Sequence, residues 1–179
     1  MLVRAVFATL CLAVAGSLLA LPALAQDADE TIAATFSVQN IAITVSPTSV
    51  NYGTLQFGAS KSSANLTPPV SFQVTNSGNV NVMIKAYGAE ANVGSNIWNL
   101  SAGAVNCPGT PLNTFGHSYT PTGGTESFLS PAASGSIVAG SIAPATQVSF
   151  TTKLYMPCPG SSGIGQNAST TITVFAVAS

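Results

Sequence analysis

The chain has 179 residues, of which only 5% are charged, and its formal net charge is −1. Ordinary soluble domains are about one-quarter charged. Since no cluster of Lys or Arg forms a basic patch, the composition argues against nucleic acid and anionic membranes as partners. A surface so poor in charge is prone to association. Burial in a polymer, a coat of glycan, and hot or acidic surroundings each explain it.

Residues 1–25 have the pattern of a cleaved secretory signal peptide. Arg4 precedes an apolar stretch at residues 5–21, and a proline and an Ala-x-Ala motif end that stretch at residues 22–25. An uncleaved membrane anchor is the alternative interpretation, which the short, interrupted apolar run disfavours. We therefore predict a secreted protein with Gln26 as its first mature residue and no membrane span after cleavage.

The next segment alternates apolar and polar residues, and its phase changes halfway. The apolar side chains fall first on even positions and then on odd ones: Ile32, Ala34, Phe36 and Val38, followed by Ile41, Ile43 and Val45. Because successive strand side chains point to opposite faces, one continuous strand could not keep both sets on one core face. We predict two strands with a break at Gln39–Asn40. The first strand either completes a neighbouring subunit's sheet or is the first strand of its own sandwich.

The rest of the chain predicts further short strands and no helix. Residues 50–57 are strand-like, with a bulge at Gly53. Residues 70–74 and 80–86 alternate cleanly around the turn at 76–79 and predict a hairpin. Further strands are expected at residues 97–100, 127–129, 136–139, 148–156 and 170–177. The last of these is apolar on both faces and is expected in a central or well-covered position. The pattern predicts an all-β, single-domain sandwich at residues 40–179, Ig-like or jelly-roll-like.

Two cysteines remain after the predicted cleavage. Cys107 and Cys158 lie in the similar turns Asn-Cys-Pro-Gly and Pro-Cys-Pro-Gly. An even pair in an exported protein predicts a disulfide. A metal site is the alternative, but the only histidine is His117, which we expect to be exposed in a long loop at residues 106–124.

Few residues suit catalysis. Beyond the N-terminal acids, the only carboxylates are Glu90 and Glu126, and no Ser-His-acid set, phosphate-binding loop or cofactor motif is recognisable. We predict no catalytic residues, no cofactor and no metal. Three sequons give candidate N-glycosylation sites at Asn65, Asn99 and Asn167.

Two motifs carry a resemblance to a known family. VSPTSVNYGTLQFG at residues 45–58 and FQVTNSGNV at residues 72–80 resemble the start of Ig-like sandwiches of two groups, the Hydin-type domains and the TasA-like exported filament subunits. The second group includes archaeal bundling pilins and threads. The chain is more similar to it, because ATFSVQNIAITVSP follows the signal peptide almost directly. The resemblance covers roughly residues 31–87.

This resemblance implies a mechanism of assembly. In that family the N-terminal strand of one subunit fills a groove in the next, so that subunits polymerise head to tail. Carried over to residues 26–39 of this chain, the donor face would comprise Ile32, Ala34, Phe36 and Val38, with Phe36 as the anchor. The implied protein is an extracellular filament subunit for adhesion or biofilm, whose partner is itself and whose further partners are neighbouring filaments or cells.

A different class of function stays open. A monomeric secreted domain could bind carbohydrate or a surface protein through the loop at residues 106–124. Its candidate contacts are Trp98, Tyr119 and His117, although a tryptophan is more often a core residue than a ligand platform. An enzyme is the third and weakest alternative.

Overall fold

The computed structural model describes residues 35–179, and this part of the chain is built mainly of β-strands. The predicted all-β fold class is confirmed. The strands are β1 (Ile43–Ser46), β2 (Ser60–Ser62), β3 (Phe72–Asn76), β4 (Val82–Gly88), β5 (Ala91–Val93), β6 (Asn96–Ser101), β7 (Thr114–Pro121), β8 (Ser127–Phe128), β9 (Ser136–Ile142), β10 (Gln147–Tyr155), β11 (Ala168–Ser169) and β12 (Ile172–Ala178), with a short 3-10 helix at Ser63–Asn65.

The strands form two sheets in a sandwich-like arrangement. The larger sheet has the order β1-β3-β10-β7-β6-β5-β11, with β2 paired to the second half of β10 and β8 paired to β7. The smaller sheet contains β12, β4 and β9 in that order. All pairs are antiparallel except β6 with β7. The two sheets are therefore unequal, and the smaller one covers only part of the larger.

The core lies between these sheets and follows the alternation of the strands. In β3 and β4 every second side chain is buried, and the Phe72 and Phe150 rings stack with their centroids 5.4 Å apart. Because one face of each strand is apolar, burial of that face fixes which side chains point inward. The fully buried apolar residues include Val74, Val82, Ile84, Val93, Phe115 and Leu129.

The predicted hairpin at residues 70–86 is wrong in its pairing. β3 belongs to the larger sheet and β4 to the smaller, so the intervening residues form an arch between sheets. Asn76 holds this arch together, since its buried Nδ2 donates to the Val80 carbonyl (2.8 Å) and the Ile142 carbonyl (3.0 Å). Alternation shows which side chains face the core, and that face is the same in a hairpin and in an arch.

The strand pairing gives the sandwich two distinct ends. The arch lies at one end, which we call the turn end, and Ser179 is also there because its N–H donates to the Asn81 carbonyl. From the arch, β4 runs to the other end, where Gly88 pairs with Ile172. The Cys107–Cys158 disulfide follows the end of β10 and precedes β7. We call this opposite end the disulfide end.

The C-terminal strand occupies a different position from the predicted one. β12 pairs with β4 and is the edge strand of the smaller sheet, rather than a central strand. Its residues from Ile172 to Val177 are only half-buried. The sequence of β12 is nevertheless that of a strand covered on both faces.

The segments before β2 also differ from prediction. β1 begins at Ile43, within the predicted second strand, whereas Ile41 precedes it and is exposed. Residues 50–57 are not a strand, although Val50 and Phe57 pack against the core. Gly53 has φ +72°, which glycine adopts without steric cost. This segment contributes side chains to the core without joining a sheet.

Candidate functional site: a groove beside the C-terminal strand

One wall of the candidate site is the outer edge of β12. Within residues 35–179, β12 is hydrogen-bonded to β4 on one side and to no strand on the other. Native proteins usually protect such edges with charges, prolines or bulges. β12 reads ITVFAVA and contains neither a charged residue nor a proline. Its unpaired main-chain groups therefore form an unprotected template for another strand.

The opposite wall is the extended segment at residues 47–57. The main-chain groups of residues 47–55 make no hydrogen bond to another main-chain group in the described part of the chain. Side chains hold the segment instead, because Val50, Tyr52 and Leu55 are half-buried. Each wall thus presents main-chain donors and acceptors without a strand partner.

Between these walls lies a groove of about 1240 Å³. Residues 163–174, which include β11 and the start of β12, complete the first wall. The floor is mainly apolar and comprises Phe72, Ala91, Trp98, Phe115, Phe150, Leu154 and Met156. Clefts that hold small molecules are usually about 300–1,000 Å³. The size, the apolar floor and the two unpaired walls suit an extended polypeptide.

A buried polar contact lies at the groove floor. His117 is only 3% exposed and belongs to β7, so its predicted position in an exposed loop is wrong. The Tyr52 hydroxyl is 3.1 Å from His117 Nε2 and 2.6 Å from Thr152 Oγ1. Burial lowers the pKa of His117 to about 4 and raises the pKa of Tyr52 to about 12. Both side chains are therefore neutral at pH 7, and they hold the 47–57 segment against the floor.

The candidate contacts of a surface binding loop are not at the surface. Trp98 and Tyr119 are buried, like His117. The Trp98 Nε1–H donates to the Ser162 carbonyl (2.9 Å), and the Tyr119 hydroxyl donates to the Ile137 carbonyl (2.7 Å). Residues 106–124 include the long strand β7 and are not a continuous loop. Sequence reasoning missed this strand because His, Ser, Gly and Thr interrupt its apolar pattern.

The predicted donor residues lie partly outside the described residues. Ile32 and Ala34 are outside them, whereas Phe36 and Val38 are 91% and 73% exposed. Residues 35–42, which the structure describes, form no strand. For Phe36 and Val38, then, the alternative of a first strand paired within its own sandwich is not observed.

The chain just after these residues is fixed at the turn end. Asn79 Nδ2 donates to the Val38 carbonyl (2.8 Å), and the Asn40 N–H donates to Asn79 Oδ1 (2.7 Å). The groove lining nearest the turn end includes Val45, which pairs with Val74, two residues before Asn76 in β3, and the groove extends from there toward the disulfide end. Two strand residues span about 7 Å. Residue 38 and the groove therefore lie at different levels of the sandwich.

The predicted disulfide is confirmed. Cys107 and Cys158 are bonded, with their Cα atoms 5.4 Å apart. Disulfides are typical of oxidising compartments and agree with an extracellular location. Among the sequons, Asn65 and Asn99 are exposed away from the groove, whereas Asn167 lies on the groove wall. A glycan on Asn167 would obstruct the groove.

Residues 35–179 contain no group of three or more His, Cys, Asp or Glu side chains arranged to hold a metal ion. No helix in the same residues is long and apolar enough to span a membrane. Compared with protein-family models and with curated proteins, the chain matches neither. The groove is thus the feature from which a function can be argued.

Proposed function

We propose that this protein is a subunit of an extracellular filament and polymerises head to tail by donor-strand complementation. Residues 31–38 of one subunit would lie in the groove of the next, between β12 and the 47–57 segment. The observation that carries the proposal is the unprotected edge of β12 beside the apolar floor. A strand inserted there would pair with β12 and give it the covered position that its sequence predicts.

The energetics favour such an insertion. Main-chain hydrogen bonds to β12 would supply affinity, and alternate side chains would enter the groove, as in other cases of strand addition. Burial of Ile32, Phe36 and Val38 contributes roughly 5–8 kcal/mol before the cost of ordering the strand. Phe36, which is 91% exposed, has the largest apolar side chain to bury.

The positions of the donor and the groove favour a filament over a closed pair. The chain is fixed at the turn end, whereas the groove extends toward the disulfide end. When different surfaces of identical subunits meet, the contact repeats, and it generates an open polymer if the rotation does not close. The low charge, 5% of residues, also suits a surface that is largely covered by other subunits.

Electron microscopy of two proteins tests the proposal. Residues 26–179 should form filaments in negative stain, whereas residues 40–179 should remain folded monomers or amorphous aggregates. Filaments from residues 40–179 would overturn the proposal. So would compact monomers from both proteins under conditions in which residues 26–179 are folded.

A matched pair of point variants separates the donor face from general effects of charge. Phe36→Asp should prevent polymerisation, because a carboxylate in the apolar groove would be desolvated without a partner. Ser37→Asp adds the same charge to the adjacent residue, on the opposite face of the proposed strand, and should polymerise much more readily. Equal polymerisation of the two variants would contradict a donor face that contains Phe36.

A further inference from the structure

The attachment of the N-terminal segment leaves no flexible linker before the sandwich. Asn79 holds both the Val38 carbonyl and the Asn40 N–H, and its own N–H donates to the Asn40 carbonyl (3.0 Å). Gly78 allows this close approach, because a Cβ there would collide with the Asn40 carbonyl oxygen. A donor strand that ends at residue 38 would therefore emerge directly from its own subunit, so the two sandwiches must lie in contact.

The groove is closed at one end. β1 contacts β12 near the turn end, so the two walls approach each other there. Toward the disulfide end they are separated by the apolar floor around Leu154 and Met156. The donor's sandwich cannot occupy the closed end, which leaves the disulfide end as the place where it meets the acceptor.

We propose, on the basis of the filament function above, that the donor strand lies antiparallel to β12 and that the turn end of its subunit packs against the disulfide end of the acceptor. β12 runs from Ile172 at the disulfide end to Ala178 at the turn end. A donor with residue 37 at the disulfide end runs in the opposite direction. If residues 31–37 folded back into the groove of their own subunit, residue 37 would lie at the turn end. That strand would then run parallel to β12.

An apolar surface is present where this contact is expected. The disulfide-end patch, formed by Pro108, Pro111, Leu112 and Pro159, lines a cleft of about 590 Å³ beside the disulfide. Leu112 is 54% exposed. The patch adjoins the groove. Gly58 follows the groove residue Phe57, and a Cβ atom placed on Gly58 would lie 3.8 Å from Pro159.

The surface at the turn end is also apolar and uncharged. Ile41 is 45% exposed. No charged side chain occurs in residues 38–42 and 76–81 at the turn end. The same is true of residues 107–112 and 158–164 at the disulfide end. Contact between these surfaces would bury apolar groups without desolvating a charge. The partner of the disulfide-end patch is thus the turn end of a second copy of this chain.

Cysteine pairs in the full mature chain test the strand direction. Ser37→Cys with Thr173→Cys should cross-link between subunits in preformed filaments and give a ladder of oligomers on a non-reducing gel. Ser37→Cys with Val177→Cys should not, because residues 173 and 177 are about 13 Å apart along β12, and a disulfide needs Cα atoms about 4.4–6.8 Å apart. Preferential cross-linking through residue 177 would overturn the antiparallel arrangement.

A second matched pair tests the patch. Leu112→Glu should raise the critical concentration for polymerisation at least about tenfold, equivalent to about 1.4 kcal/mol. Ile137→Glu, also at a residue that is 54% exposed but on β9, should leave it unchanged. A synthetic peptide of residues 31–38 should bind residues 40–179 equally with and without Leu112→Glu, since the patch contacts the donor's sandwich and not its strand.

These experiments distinguish the two proposals. If the peptide binds and the wild type forms filaments, but Leu112→Glu polymerises normally, the filament function stands and the contact at the disulfide end is wrong. If the peptide does not bind and no filaments form, donor-strand complementation itself is wrong. Urea midpoints of the Leu112 and Ile137 variants equal to that of the wild type exclude misfolding as the cause.

Discussion

The two ends of the sandwich differ in how completely their backbone is paired. At the turn end, the buried Asn76 side chain satisfies two carbonyls, and Asn79 pairs with the chain at residues 38–40. Toward the disulfide end, the edge of β12 and residues 47–55 have no strand partner in the described part of the protein. Both of these segments line the groove, which is why we propose a function there.

The disulfide stabilises the less completely paired end, and its removal should have the largest effect on stability. Replacing both Cys107 and Cys158 with Ala should lower the free energy of unfolding by about 4 kcal/mol, since the bond closes a loop with a sequence separation of 51. Urea denaturation at pH 7 measures the change. A loss below about 1 kcal/mol would mean that the open end is stabilised by its packing alone.

Acid should weaken the same region through His117. Its pKa is lowered to about 4 in the folded state from an ordinary 6.5, so the unfolded state binds more protons between these values. The contribution of His117 to the free energy of unfolding is therefore fully present above pH 6.5. As the pH falls toward 4, up to about 3 kcal/mol of it is lost. Urea denaturation at pH 7 and pH 4 gives the difference.

The variant His117→Gln serves as the control for the pH experiment. Glutamine retains a group that can hydrogen-bond with the Tyr52 hydroxyl but does not titrate. Between pH 7 and pH 4, the free energy of unfolding of the variant should fall by about 3 kcal/mol less than that of the wild type. Identical pH dependence in the two proteins would assign the acid sensitivity to other groups, such as Glu126.

The turn end should depend on Asn76. Asn76→Ala leaves the Val80 and Ile142 carbonyls without their side-chain donor and should cost about 2 kcal/mol. Asn92→Ala, at an exposed position in β5, is the matched control and should change stability by less than about 0.5 kcal/mol. Equal urea midpoints for the two variants would show that the arch does not require its buried amide.

The sequence predicted the strands better than their arrangement. Alternation located β3, β4 and β10 and their core-facing residues, because burial of one apolar face requires a period of two. It could not tell a hairpin from an arch, since both bury the same side chains. The Cys107–Cys158 bond was predictable, because the two cysteines that remain after the predicted signal cleavage allow only one pairing.

The groove could not be predicted from the sequence, although the sequences of two of its segments indicated missing strand partners. β12 was expected to be covered because it is apolar on both faces, and only the structure shows that one of its edges has no partner. The strand pattern of residues 50–57 likewise reflects side-chain contacts without main-chain pairing. In both segments the sequence is typical of a more complete sheet than residues 35–179 form.

The smallest predicted effect concerns the side-chain contact that holds the 47–57 wall. Tyr52→Phe removes the hydroxyl near His117 and Thr152 and should cost about 1 kcal/mol. Tyr87→Phe, a matched change in β4 where the hydroxyl has no hydrogen-bond partner among residues 35–179, should cost less. Hydrogen exchange should be fast at residues 48–55 in monomers of residues 40–179, and faster still with Tyr52→Phe.

In filaments of residues 26–179 these amides should become protected, because the donor strand would pair with this wall as well as with β12. Protection confined to β12 would show that the donor pairs with one wall only, so that residues 47–57 serve as a side-chain cover.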